Sequence, residues 1–184
     1  MTYRSKNCSK RSLAEITYVK LLFRKLDIIA IMTEMSRKEI EKFLMHDTFT
    51  AKLATVKNDG SPHIVPIWFV LDGRKNQARK GISDIIFTTY ENSLKALNIQ
   101  RDNQVSICVD DQIPQFSFVT IHGTAKIVHQ KYTELLKWNT RIAERYMGKR
   151  NAKAYGERNS TEGVILVRVI PTKVVAEKDI AEWE

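Results

Sequence analysis

Residues 87 to 98 read FTTYENSLKALN. Thr88, Thr89 and Ser93 bring hydroxyls, and Lys95 an ammonium, to the place where an apolar extended run gives way to a helical pattern. Asn98 follows about one turn later on the same side as Lys95. Such a group can hold a phosphate, because the first N–H groups of a helix lack intrahelical partners and the helix dipole favours anions. The same letters also spell a polar helix start, with Asn92 or Ser93 as N-cap and Lys95 in water.

A second stretch bears on that choice. In PHIVPIWFVLD (62–72), Pro66 interrupts an apolar strand pattern between Val65 and Ile67, with Trp68 and Phe69 just after. A proline removes a ladder donor, so this strand should be an edge, a bulge or a ligand-facing surface. A bent, aromatic-rich strand suits a planar ring, although Trp68 and Phe69 would serve equally as core. Elsewhere the chemistry is sparse: there is no nucleophile elbow, phosphate-binding P-loop, HExxH or GxGxxG. No residue is expected to act as a catalytic nucleophile. The four histidines have no metal-ligand spacing, and Cys8 and Cys108 have no CxxC companion, so neither a metal site nor a disulfide framework is expected. A chain of this kind either binds without catalysis or takes its chemistry from a cofactor.

The elements that must position these residues are mostly strands. Ser36 and Glu39 form a capping box before a short amphipathic helix carrying Ile40, Phe43 and Leu44. AKLATVK (51–57), the 62–72 run, DIIFTTY (84–90), QVSICVD (104–110) and FSFVTIHGTAKIV (116–128) read as strands, with NDGS (58–61) as a hairpin turn. Gly123 suggests a bulge or a close backbone approach. A helix is expected over 131–147, ended by Gly148, and a shorter one near 151–158. Two strands, 163–170 and 173–177, then flank Pro171. Hairpin connections with few helices point to an α+β fold built on an antiparallel barrel or sandwich, with helices packed outside.

The 184-residue chain carries a formal charge of +9. Seven Lys/Arg against three acids fall in residues 1–34, leaving 23 against 18 in the rest. Residues 1–34 therefore read as a basic N-terminal extension, helical around Leu13 to Met32 or disordered, before a domain over 35–184. The remaining excess suits anionic small molecules as readily as nucleic acid, and no aromatic-basic RNA motif or helix-turn-helix pattern accompanies it. No apolar run approaches the ~20 residues of a membrane helix, and LDIIAIM (26–32) contains Asp27 and lacks a signal-cleavage site. A cytoplasmic location is expected.

ATVKNDGSPHIVPIWFVLDG, IIFTTYENSLKALNIQRDNQVSICVDD, VTIHGTAKIV, RIAERYMGKRNAKAYGE and GVILVRVIPTKVV resemble, in order, the blocks of the pyridoxamine 5′-phosphate oxidase-like family over roughly residues 36–177. The resemblance is nearest to the deazaflavin subgroup. It implies an FMN-binding type of split β-barrel, a homodimer with cofactor at the subunit interface, and hydride transfer between coenzyme F420 (alternatively FMN) and a small unsaturated substrate. It places Val65, Pro66, Ile67 and Trp68 along the cofactor ring, and Phe87, Thr88, Thr89, Ser93, Lys95 and Asn98 around the ribityl chain and phosphate. His63 or Tyr90 could donate a proton. Leu94 stands where the vitamin B6 oxidases carry an arginine, and Arg168 and Trp183 do not reproduce their substrate-binding pattern, so oxidation of pyridoxamine phosphate is not expected. An acidic F420 tail would be drawn to Lys52, Lys57, Arg74, Lys75, Arg79 and Lys80. The alternative reading is a non-catalytic flavin- or haem-binding split barrel.

Overall fold

The computed structural model describes residues 33–73 and 82–181. The helix expected within 1–34, most of the basic loop at 73–81 and Trp183 lie outside the described residues. The elements are β1 (Thr33–Glu34), α1 (Arg37–Leu44), β2 (Ala51–Val56), β3 (Pro62–Ile67), β4 (Val70–Leu71), β5 (Ile85–Tyr90), α2 (Leu94–Arg101), β6 (Gln104–Asp110), β7 (Phe118–Val128), α3 (Tyr132–Met147), α4 (Lys149–Arg158) and β8 (Val164–Lys178). The strands form one antiparallel sheet in the order β3-β2-β6-β7-β8-β5-β4, with β1 on the far end of β8.

Alternation dictates the core. Ala51, Leu53, Ile107, Val109, Val119, Ile121, Ile85, Phe87 and Val167 all point inward and are essentially excluded from water. Each of the Val, Leu, Ile and Phe side chains among them contributes roughly 1.5–3 kcal/mol by leaving water. Ile40 and Leu44 of α1 and Ala96 and Ile99 of α2 join this cluster. A second cluster, Val70, Ile86, Leu166, Trp138 and Ile142, lies where α3 covers the other face of the β4-β5-β8 end. The capping box is formed as the sequence suggests: the Ser36 hydroxyl accepts from the Glu39 amide, and the Glu39 carboxylate accepts from Ser36 N–H at 2.8 Å.

Two strand readings need correction. The 62–72 run is not one strand: it breaks at Trp68–Phe69, so that β3 pairs with β2 at one end of the sheet and β4 with β5 at the other. Two residues thus carry the chain from edge to edge, which curls the sheet into a split barrel. Pro66 lies on the edge strand β3, where a residue without an N–H is tolerated. Conversely, 163–170 and 173–177 are one strand. Thr172 is an extra residue opposite His122/Gly123, and Pro171 sits within that bulge. Gly123 is required there, because a Cβ would stand 2.7 Å from the carbonyl oxygen of Ile170.

α3 and α4 form a hairpin around Gly148, whose φ of 77° suits glycine. They approach so closely that a Cβ on Gly156 would meet Thr140 Oγ1 at 2.3 Å.

Candidate functional site

A cleft of about 350 Å³ opens at the barrel seam, within the range of small-molecule sites. The seam supplies Pro66, Ile67 and Trp68, the end of β5 supplies Thr88, Thr89 and Tyr90, and α2 supplies Lys95. Ile142 of α3, Asn159 after α4 and Val164 at the start of β8 complete the wall.

The aromatic side is held firmly. Trp68, 38% exposed, stacks on Tyr146 with ring centroids 4.9 Å apart and planes 3° from parallel. Tyr146 is itself anchored: its hydroxyl donates to the Phe49 carbonyl at 2.9 Å and accepts from Phe69 N–H at 3.2 Å. Burial pushes that phenol above its ordinary range.

On the polar side, Ser93 is the N-cap of α2, its hydroxyl accepting from Ala96 N–H, and it lies 3.0 Å from the Thr89 hydroxyl. The helix-cap reading and the ligand reading are therefore compatible, because Ser93 caps and thereby supports Thr89. Thr88 donates to the amide oxygen of Asn139 at 2.6 Å. Lys95 is half-buried and makes no ion pair among the described residues. Loss of water lowers its pKa from the usual lysine range.

Three residues expected at the site face elsewhere. Val65 packs against the barrel core, and Phe87, with no exposure, shares the inward parity of Ile85. Asn98 is 1% exposed and donates to Thr55 Oγ1 at 3.0 Å, tying α2 to β2. Of the cations expected to greet an acidic tail, Lys52 is taken by Asp110 at 2.5 Å and Lys57 lies 3.8 Å from Asp59; the other four lie outside the described residues. Arg168 bridges Asp72 and Asp84. Tyr90 is at the cleft rim, whereas His63 turns toward Thr55.

The sequence reading missed Asn139, Ile142, Asn159 and Val164. Asn139 had a signal, since it interrupts the apolar stripe of α3 between Leu135 and Ile142 at helical spacing. Asn159 had none.

An antiparallel split barrel with a cleft at its seam defines a fold class, and comparison with known proteins narrows it. The family model described as pyridoxamine 5′-phosphate oxidase matches residues 36–183. The chain belongs to that family. Among solved structures it is similar to the conserved hypothetical protein Rv2991 from Mycobacterium tuberculosis, with 25% identity over 84% of this chain and 92% of that one, at a TM-score of 0.67. An F420 reductase (23% identity, 73% of this chain and 94% of that one, TM-score 0.53) shares the fold. So does the haem storage protein HutZ from Vibrio cholerae (18% identity, 76% and 93%, TM-score 0.57). No curated protein matches the chain. Among the described residues, no helix is long and apolar enough to cross a membrane, and no cluster of His, Cys, Asp and Glu could hold a metal ion.

Proposed function

We propose that this chain is a homodimeric oxidoreductase whose seam cleft holds coenzyme F420, with FMN as the alternative, and that it serves a small unsaturated substrate. The observation that carries this reading is Lys95, a half-buried ammonium without a carboxylate partner among the described residues, lining with Thr89 the same cleft as Trp68. A phosphate at one end and a ring at the other fit that donor set. A bound flavin or deazaflavin supplies hydride transfer, and the protein's part is positioning and exclusion of water. Lys95 and Thr89 bind the anion, Pro66, Ile67 and Trp68 flank the ring, and no side-chain nucleophile is needed.

F420 is favoured over FMN by α4. Lys149, Arg150, Lys153 and Arg158 are exposed, make no ion pair among the described residues, and lead to Asn159 on the cleft wall. A basic helix beside the cleft suits an oligoglutamate tail. The homodimer is supported by the outward face of β3-β2-β6-β7, where Ile64 (64% exposed), Val56, Ala54 and Cys108 leave apolar surface against water.

The test is a parallel titration of the purified protein with FMN and F420, read by fluorescence, for wild type and Lys95→Ala. The expected result is tighter F420 binding that weakens with salt and falls in Lys95→Ala. If neither binds below roughly millimolar, equivalent to only ~4 kcal/mol, the cofactor reading fails. A protein that binds but turns over no acceptor would be a carrier and not an oxidoreductase. Ile64→Arg should yield a monomer by light scattering.

A further inference from the structure

We infer that Asn139 sets the hydrogen-bonding polarity of the cleft, so that Thr88 accepts from a ligand hydroxyl while Thr89 and Lys95 donate to an anion. This rests on the reading of the cleft as a cofactor site and says which threonine meets the hydroxyl chain and which the phosphate.

Asn139 is 1% exposed. One amide hydrogen goes to the backbone carbonyl of Asn159 at 2.8 Å. A carbonyl can only accept, so the nitrogen of Asn139 must lie on that side. The other hydrogen goes to Ser160 Oγ at 3.0 Å, and Ser160 in turn donates to the Gly156 carbonyl at 2.7 Å. Both N–H groups are spent, and the amide oxygen is left facing Thr88 Oγ1 at 2.6 Å. Thr88 must donate, and a hydroxyl has one hydrogen. Toward the cleft it therefore presents only lone pairs. A phosphate oxygen is also an acceptor, so Thr88 cannot belong to the phosphate-binding group in which the sequence placed it.

Thr89 is free to take the opposite polarity. Ser93 Oγ accepts from Ala96 N–H at 3.4 Å, and across the 3.0 Å to Thr89 Oγ1 either hydroxyl can donate; an anion in the cleft takes the Thr89 hydrogen and leaves Ser93 as the donor to Thr89. Thr89 can thus turn its own hydrogen to the cleft, beside the three donors of Lys95, whereas Thr88 cannot. Two adjacent threonines, alike in sequence, thus read opposite ligand groups, and Asn139 is the positioning residue that makes them differ.

The test uses the full-length protein and four probes: inorganic phosphate, lumiflavin (ring alone), riboflavin (ring and ribityl chain) and FMN (all three parts). Thr88→Val should weaken riboflavin and FMN by one common factor of about three to ten, and leave phosphate and lumiflavin unchanged. Lys95→Ala should weaken phosphate and FMN and spare riboflavin. Asn139→Ala frees the Thr88 hydrogen, so riboflavin should weaken while phosphate holds or tightens; a residue with a merely structural role would weaken every probe alike. The inference is overturned if Thr88→Val costs phosphate as much as Lys95→Ala does, if Asn139→Ala weakens all probes equally, or if wild type binds no phosphate at tens of millimolar. If wild type binds phosphate but neither F420 nor any of the flavins, and phosphate is lost in Lys95→Ala yet kept in Thr88→Val, the cofactor reading falls and the polarity stands.

Discussion

The guanidinium of Arg145 donates to the carbonyls of Leu44 at 2.7 Å, Phe69 at 3.0 Å and Asp47 at 3.0 Å, with those of Phe49 and His46 also in reach. Its plane lies over the rings of Phe69 and Tyr146. The ammonium of Lys95, on the cleft wall, meets no carboxylate among the described residues. Both groups have lost water, and desolvation lowers the pKa of each. They differ in what replaces the water. Arg145 exchanges it for backbone acceptors that need a donor, joining α1, the loop after it and the seam to α3. Lys95 keeps its donors for a partner. A cation with saturated donors is accounted for by the fold alone, whereas one with spare donors is what the proposed anion site requires.

The sharpest way to break this contrast is to remove Arg145. Arg145→Leu keeps the packing on Phe69 and Tyr146 but leaves several carbonyls without their donor, and should cost about 3 kcal/mol, read as a lower urea midpoint. Arg145→Lys should recover only part of that, since an ammonium cannot fan out over five carbonyls or stack on rings. Lys95→Ala should behave in the opposite way. Stability should stay within about 0.5 kcal/mol of wild type, while affinity for the phosphorylated cofactor falls roughly tenfold to a hundredfold, as for a lost charge-assisted bond. Equal loss of stability in both variants would make Lys95 structural and end the comparison.

That difference was only half legible in the sequence. Lys95 drew notice because hydroxyls cluster around it, and the regular alternation of QVSICVD was enough to define β6 from end to end. Arg145 looked like any helix-surface arginine, because its carbonyl partners lie 76 to 101 residues away. The same distance problem hid Asn139, whose polar letter on an apolar stripe was visible but whose partner Thr88 was not. Phe87 and Val65 differ again: strand parity turns both toward the core, whereas the resemblance to the family blocks places them on the cofactor. The run WFV is apolar whether the chain stays on one edge or crosses the seam, so no local pattern could separate β3 from β4.

The wall behind Thr88 offers a subtler test. Asn139 and the Asn159–Ser160 turn are brought together by the α3–α4 hairpin, which Gly156 allows to close on Thr140. Gly156→Ala places a methyl group 2.3 Å from Thr140 Oγ1 and 3.0 Å from its Cα. Moving the oxygen does not relieve the backbone contact, so about 1.5 kcal/mol of overpacking is expected. Riboflavin affinity should fall with it, since the hairpin cannot shift without loosening Asn139. Unchanged binding in Gly156→Ala would mean that Thr88 is oriented by β5 alone.

The smallest effect concerns a third cation, Lys178, which neither saturates itself on backbone like Arg145 nor waits like Lys95. It donates to Glu39 Oε1 at 2.7 Å at the partly exposed surface. That bond, and then the capping bonds from Ser36, hold the Glu39 carboxyl at about 2, below its ordinary 4.5. A depressed carboxylate stabilises the fold while it is ionised, so its contribution is complete above pH 4.5 and is lost as the pH falls toward 2. Because the pair is exposed, salt should shrink the effect. In Glu39→Gln the amide oxygen can still accept from Ser36 N–H and preserve the cap, but nothing titrates. The urea midpoint of wild type should therefore fall more steeply than that of Glu39→Gln between pH 4.5 and 2, and the two slopes should converge at high salt. Parallel slopes at low salt would show that Lys178 does nothing for Glu39 that water does not. In that case a cation's worth to this fold would depend on burial alone, and the contrast between Arg145 and Lys95 would rest on saturation within the buried class only.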